Sequence, residues 1–336
     1  MKNRLIALAC GLLSAGASAG ASAQTNTVLY GEVDTGIGQR YRQNNVGVVT
    51  NFDGMSRWGI RGREDLGGGL AANFQLESGS INLTHGTING GGGMNRQSWV
   101  GLSGGWGSVM LGRTTTPQNR IMGVFDLNDT ADGSSALLYT GLAANSSFGG
   151  SRQSSQIQYA LPAGGALEAR VAYVSKGDRG DSPNKAFVQA AARYRAGMLT
   201  TAGVVQGRMS EADGHRTGYA LGAMLNLPRV VVSALYTRRE TTTGGEGLGL
   251  GLALPLGKWT LGAQVARVHA STNVQHKGAT SLELFADYAL SKRTRLYANF
   301  GSLNARAQWL NGTTLDGVRT PAANGEAFAV GVVHRF

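Results

Sequence analysis

The chain has 336 residues, among them 52 glycines, 6 prolines and one cysteine, and a formal net charge of +11. Glycine without a three-residue period, with so little proline, excludes collagen and disordered linkers and fits many short strands joined by glycine turns. The lone Cys10 excludes a disulfide framework, and the basic balance admits a polyanion partner or an anion path without choosing between them.

In chain order, Lys2 and Arg4 precede an apolar run from Leu5 to Leu13, and small residues end at Ala21-Ser22-Ala23. This is the layout of a secretory signal over residues 1–23, which leaves a mature domain at 24–336 with net charge +9 and no cysteine. A lipoprotein anchor at Cys10 is the weaker reading, because Ala7-Leu8-Ala9 fits a lipobox poorly. Beyond the signal no stretch approaches the ~18 apolar residues of a membrane helix. If the chain enters a membrane it must do so as a closed barrel, because lipid satisfies no backbone N–H or C=O.

From Thr27 to Tyr41 the residues alternate with period two: Leu29, Gly31, Val33 and Ile37 share one face, Glu32 and Asp34 the other. In SRWGIRGREDLGGG, Trp58, Ile60 and Gly62 oppose Arg57, Arg61 and Arg63. LAANFQLESGSI repeats the pattern with Leu70, Ala72, Phe74 and Leu76, and NRQSWVGLSGGWGSVMLGR predicts two strands joined through Ser103–Gly107. Alternation resumes near Gln156–Leu161, Ala166–Lys176, Lys185–Ala196, Met198–Arg208, Arg216–Asn226 and Arg229–Arg239. It continues near Glu246–Leu254, Lys258–Ala270, Ala279–Ala289, Thr294–Arg306 and Gly325–Phe336.

The count is about sixteen, an even number, with tight turns such as Ala196-Gly197 and Leu227-Pro228 alternating with longer polar connections. That rhythm predicts an all-β, antiparallel transmembrane barrel, apolar outside and polar or small within. In a soluble sandwich the arginine face would simply be solvated, but no sandwich requires that alternation of turn lengths. The closing strand puts Phe328, Val330, Val332 and the terminal Phe336 on one face.

One stretch, Thr114–Ser155, breaks the pattern for some forty residues. Connections that long inside regular structure are usually functional or disordered. It carries Asp126, Asp129 and Asp132, and the expectation is an inward-folded third long loop that narrows an aqueous pore.

LYGEVDTGI, SRWGIRGREDLGGGLAANFQLESG, NRQSWVGLSGGWGSVMLGR, DYALSKRTRLYANF and the ending VGVVHRF resemble the general porins of Burkholderia, Bordetella and Neisseria type. The resemblance covers nearly the whole mature chain and is thinnest in the loops. It implies a homotrimer of sixteen-stranded barrels in the outer membrane of a Gram-negative bacterium, in contact with lipid and lipopolysaccharide, passing small hydrophilic solutes and ions passively. Members of the family often favour anions. By the matching blocks, Arg57, Arg61, Arg63, Arg96 and Arg113 form the basic wall of the constriction, and Asp126, Asp129 and Asp132 the facing acidic side, with Phe328 and Phe336 in the barrel-closing strand. The competing expectation is that these arginines pair with Glu32, Asp34 or Glu77 and cancel locally.

Other motifs are weaker. Gly101-Leu102-Ser103-Gly104-Gly105 matches a nucleophile elbow, but a second strand follows where that motif needs a helix. Asp126 to Gly133 resembles a calcium loop only faintly: Ala131 holds the glycine position and no acidic residue closes it. The five histidines show no ligand spacing and no nucleic-acid module is present, so no cofactor or nucleic acid is expected, with calcium at Asp126–Gly133 the weaker alternative. A dedicated single-substrate channel and an outer-membrane enzyme remain the alternatives.

Overall fold

A computed structural model describes residues 26–88, 93–128, 133–134, 151–175, 186–208, 217–239, 245–271, 277–310, 313–315 and 318–336. The segment read as a signal, 1–23, lies outside these.

The strands of the wall are β1 (Asn26–Gln39), β2 (Arg57–Gly67), β3 (Leu70–Gly79), β4 (Gln97–Gly104), β5 (Gly107–Thr115) and β6 (Arg152–Ala160). They continue with β7 (Leu167–Val174), β8 (Phe187–Ala196), β9 (Leu199–Arg208), β10 (Gly218–Asn226) and β11 (Val231–Arg239). The remainder are β12 (Gly245–Leu256), β13 (Trp259–Ser271), β14 (Thr280–Ala289), β15 (Thr294–Leu303) and β16 (Glu326–Arg335). Together with the short strand Gly47–Thr50, which pairs with β1, they form one 17-stranded antiparallel sheet. It closes on itself because β1 pairs on one side with β2 and on the other with β16, from Glu32↔Arg335 to Gln39↔Phe328. Phe336 completes the seam by exchanging two 3.1 Å backbone hydrogen bonds with Gly31.

Each strand's apolar set faces out. Leu248, Leu250, Leu252 and Leu254 are exposed, whereas their neighbours Gly247, Gly249, Gly251 and Ala253 are buried toward the lumen. The fully buried wall residues include Gln158, Gln189, Gln264 and Glu283. This inversion of a soluble protein's pattern belongs to a sheet whose solvent is hydrocarbon. The aromatic residues of the outward face include the pair Trp259 and Tyr288, whose rings are 4.7 Å apart.

Two element boundaries differ from expectation. β6 starts at Arg152 rather than near Gln156, because the register shifts there and Ser155 adopts φ 55°, a bulge that hides the period of two. β15 ends at Leu303 because Asn304 caps a helix, α2 (Ala305–Leu310): its Oδ1 accepts the N–H of Ala307 at 2.9 Å.

If the leucine face of β12 meets lipid, Leu250→Arg near mid-strand should cost about 2–4 kcal/mol of folding free energy in bilayers. Denaturant titration against the parent barrel measures it, and an unchanged midpoint would place that face elsewhere.

Candidate pore constriction

The connection from β5 to β6, the third long loop, turns into the barrel. Thr116 starts it by capping helix α1 (Pro117–Met122), its Oγ1 accepting the N–H of Asn119 at 3.4 Å; proline fills the first turn, where a missing N–H costs nothing. A 3₁₀ turn, Gly123–Phe125, follows. Helix and turn lean on β8, β9, β10 and β11. There Ile121, Met122 and Phe125 are buried among small or short wall side chains, Ala191, Val204 and Ala220. A Cβ at Gly222 would come within 2.6 Å of the Phe125 ring, so this wall position makes room for the loop by having no side chain.

Polar groups then fix the path. Backbone N–H groups of Gln118 and Leu127 donate to Gln189 Oε1 at 2.7 Å and Gln264 Oε1 at 2.9 Å. Gln264 in turn donates from Nε2 to Asp126 Oδ1 and to Glu283 Oε2, both at 2.9 Å. The other Glu283 oxygen accepts from Asn128 Nδ2 at 2.8 Å and from Ser134 Oγ at 2.6 Å. A buried carboxylate is tolerated only when hydrogen-bonded in this way.

The far end meets the first long loop, residues 40–56. Gly133 N–H donates to Phe52 O at 2.9 Å, and Tyr41 donates its hydroxyl to Ser134 O at 2.9 Å. Burial, reinforced by the Glu283 carboxylate, pushes the Tyr41 phenol above its ordinary range, so it remains a donor. The first loop is itself held inside the barrel: Asp53 is ion-paired to Arg295, and Phe52 stacks on Tyr297 with ring centroids 6.5 Å apart. The lumen is thus narrowed from two sides.

The expected basic wall is partly assembled. Arg57 meets Glu32 at 3.1 Å and Glu77 at 3.8 Å, Arg96 meets Glu77 at 2.6 Å, and Arg335, absent from the expected set, meets Glu32 at 2.6 Å. Local pairing with Glu32 and Glu77, the competing expectation, therefore holds for Arg57 and Arg96. Arg61 lies over the ring of Tyr30, 5.1 Å from its centroid. Arg63 sits apart, toward the β2–β3 turn, with Ser103 and Asn73.

Arg113 is not on this wall. The ladder pairs it with Ser98, on the same outward side as Val100 and Leu102, and its guanidinium binds Asn95 O at 2.6 Å and Ser154 Oγ at 2.9 Å. Asp126 accepts from Gln264 on β13. Asp129 and Asp132 lie outside the described residues. Phe328 and Phe336 both sit on the outward face of the closing seam.

A sixteen-stranded barrel with a long loop folded inward onto a charged wall is the architecture of a channel. Comparison of the sequence with known families identifies the Gram-negative porins, matched over residues 7–308. This chain belongs to the Gram-negative porin family. Among its relatives, an outer membrane porin of Bordetella pertussis is 28% identical over 403 residues, and outer membrane porin protein 32 of Delftia acidovorans 29% over 361 residues, each across the whole of both chains. Among solved structures, the anion-selective porin from Comamonas acidovorans superimposes with a TM-score of 0.74 at 25% identity, covering 93% of this chain and 100% of that one. A trimer form of OmpT from Vibrio cholerae does so at 0.65 and 13% identity, over 93% and 99%. The porin is a general diffusion channel of the bacterial outer membrane, through which small hydrophilic solutes pass.

The nucleophile-elbow pattern is absorbed by the porin fold. Ser103 lies on β4, its Oγ accepting from Asn73 Nδ2 at 2.8 Å, and the chain turns straight into β5 rather than into a helix. Residues 129–132 of the calcium-like stretch are outside the described residues; among the described residues no cluster of His, Cys, Asp or Glu could hold a metal ion.

The residues missed by sequence reasoning are the loop's receptors, Gln189, Gln264 and Glu283. Alternation puts Glu283 on the inward face, but its partner Asn128 is 155 positions away, and no local signal links them. Replacing Glu283 with alanine removes the partner of three donors, each hydrogen bond contributing about 0.5–1.5 kcal/mol. The loop should detach and single-channel conductance rise, with the barrel still folded; parental conductance would show that the loop is held by other means.

Proposed function

We propose that this porin passes small solutes with a modest preference for anions, as one unit of a homotrimer, and catalyses no reaction. The observation that carries the preference is how charge is buried. Glu32 and Glu77 have side chains only 2% and 7% exposed, whereas their partners Arg96, Arg57 and Arg335 are 14%, 26% and 47% exposed. Carboxylates withdrawn into the wall and guanidiniums turned to water leave a positive field in the passage, strongest where low-dielectric walls crowd it. Arginine holds that charge at any relevant pH. The likeness to a solved porin described as anion-selective supports the reading, and the trimeric Vibrio neighbour supports the assembly. The outward leucine faces would meet outer-membrane lipid, and Arg267, outward near the loop end of β13, would meet lipopolysaccharide phosphates.

Reversal potential under a tenfold KCl gradient tests the preference; chloride should be the more permeant ion, and clear potassium preference would refute it. Arg61→Glu, which breaks no ion pair found here, should lower the chloride-to-potassium ratio roughly two- to threefold, the size of a screened interaction of about 0.5 kcal/mol. Liposome swelling with sugars of graded size tests for a general rather than a dedicated channel, a smooth decline with size being expected.

A further inference from the structure

A second group of charges, away from Glu32 and Glu77, joins the loop helix to β7 and β8. Glu168 opens β7 and pairs in register with Arg193 of β8, and the Arg193 guanidinium contacts its carboxylate directly. Arg170 reaches the same carboxylate at 3.3 Å and is braced from β6 by Gln158 Oε1 at 3.1 Å. From the loop, Arg120 approaches at 3.9 Å. Three guanidiniums share one carboxylate.

That ratio is unusual for a purely structural ion pair. One carboxylate balances one cation, and the group keeps two positive charges facing each other at short range, an arrangement that repels itself unless an anion joins it. The exposures give the direction of approach. Arg193 is 7% exposed and Arg170 18%, fixed in the wall, while Glu168 is 28% and Arg120 62% exposed. In addition, Arg193 Nε and Nη1 are buried and have no hydrogen-bond partner. Buried donors left unmade are costly, and the most effective acceptor for guanidinium N–H groups is an oxyanion, which they meet in a fork geometry.

We propose that Arg120, Arg170 and Arg193 form a binding subsite for small doubly charged oxyanions, with Glu168 as the resident competitor. The class follows from charge: an excess of two positives matches a phosphate or dicarboxylate dianion better than chloride. Arg120, carried on the loop and largely exposed, is the group that closes on the passing anion, while Arg170 and Arg193 supply the fixed half. This rests on the reading of the lumen as an anion path.

The test is block of chloride current by inorganic phosphate in planar bilayers, in the parent porin and in Arg120→Gln and Glu168→Gln. Arg120 is exposed on the loop, so its replacement does not threaten folding. Phosphate should inhibit the parent in a saturable manner. Its inhibition constant should rise about fivefold in Arg120→Gln and fall about fivefold in Glu168→Gln, where the competitor has lost its charge. A constant unchanged in both variants, or no saturable block in the parent, overturns the subsite. A parent channel that prefers potassium over chloride but still shows the opposed shifts would sink the general anion preference and leave the subsite standing.

Discussion

Everything in this molecule follows from a sheet that cannot have an edge. In hydrocarbon an unpaired strand would leave a row of backbone groups unsatisfied, so β1 must be shared between β2 and β16, with Phe336 hydrogen-bonded to Gly31 at the seam. Closure forces the two faces of every strand into different solvents. The leucines of β12 face lipid, and its inner face is left to Gly247, Gly249, Gly251 and Ala253.

The described part of the long loop finds its partners on the inner face of the barrel and on the first long loop. Its apolar residues, Ile121, Met122 and Phe125, are buried within the barrel against wall positions such as Ala191 and Ala220. Its polar groups converge on Gln264 and Glu283. The hydrophobic core of this protein is therefore partly inside the pore it restricts. The same economy governs charge: Asp53, Glu32 and Glu283 are buried with their oxygens hydrogen-bonded or ion-paired, and the guanidiniums around Glu32 stay in contact with water.

Much of the fold was legible from alternation, because a period of two is imposed directly by the strand and its sense by the membrane. Strand ends failed where geometry departs from that period, at the Ser155 bulge and at the Asn304 cap. The site was less legible. Short-range parity groups Arg57, Arg61 and Arg63 on one face, whereas Arg96 and Arg113 rest on family wording alone, and the register sets Arg113 outward. Glu168, Arg170 and Arg193 stand on adjacent strands whose register no local pattern fixes, and Arg120 reaches them only through the loop's path. Contacts made across the lumen have no sequence period to betray them.

The central claim, that the loop lies against the wall and sets the width of the channel, can be tested by locking it there. Leu127 and Gly251 are neighbours where the loop meets β12, with a Cβ at Gly251 falling 2.9 Å from Leu127 Cδ1, so cysteine side chains at the two positions would project toward each other. The chain's one cysteine is Cys10, outside the described barrel. A Leu127→Cys, Gly251→Cys double variant should therefore cross-link on oxidation in native membranes, with the same single-channel conductance before and after reduction. Failure to cross-link, or a conductance that changes when the bond is reduced, would contradict a loop seated on β12.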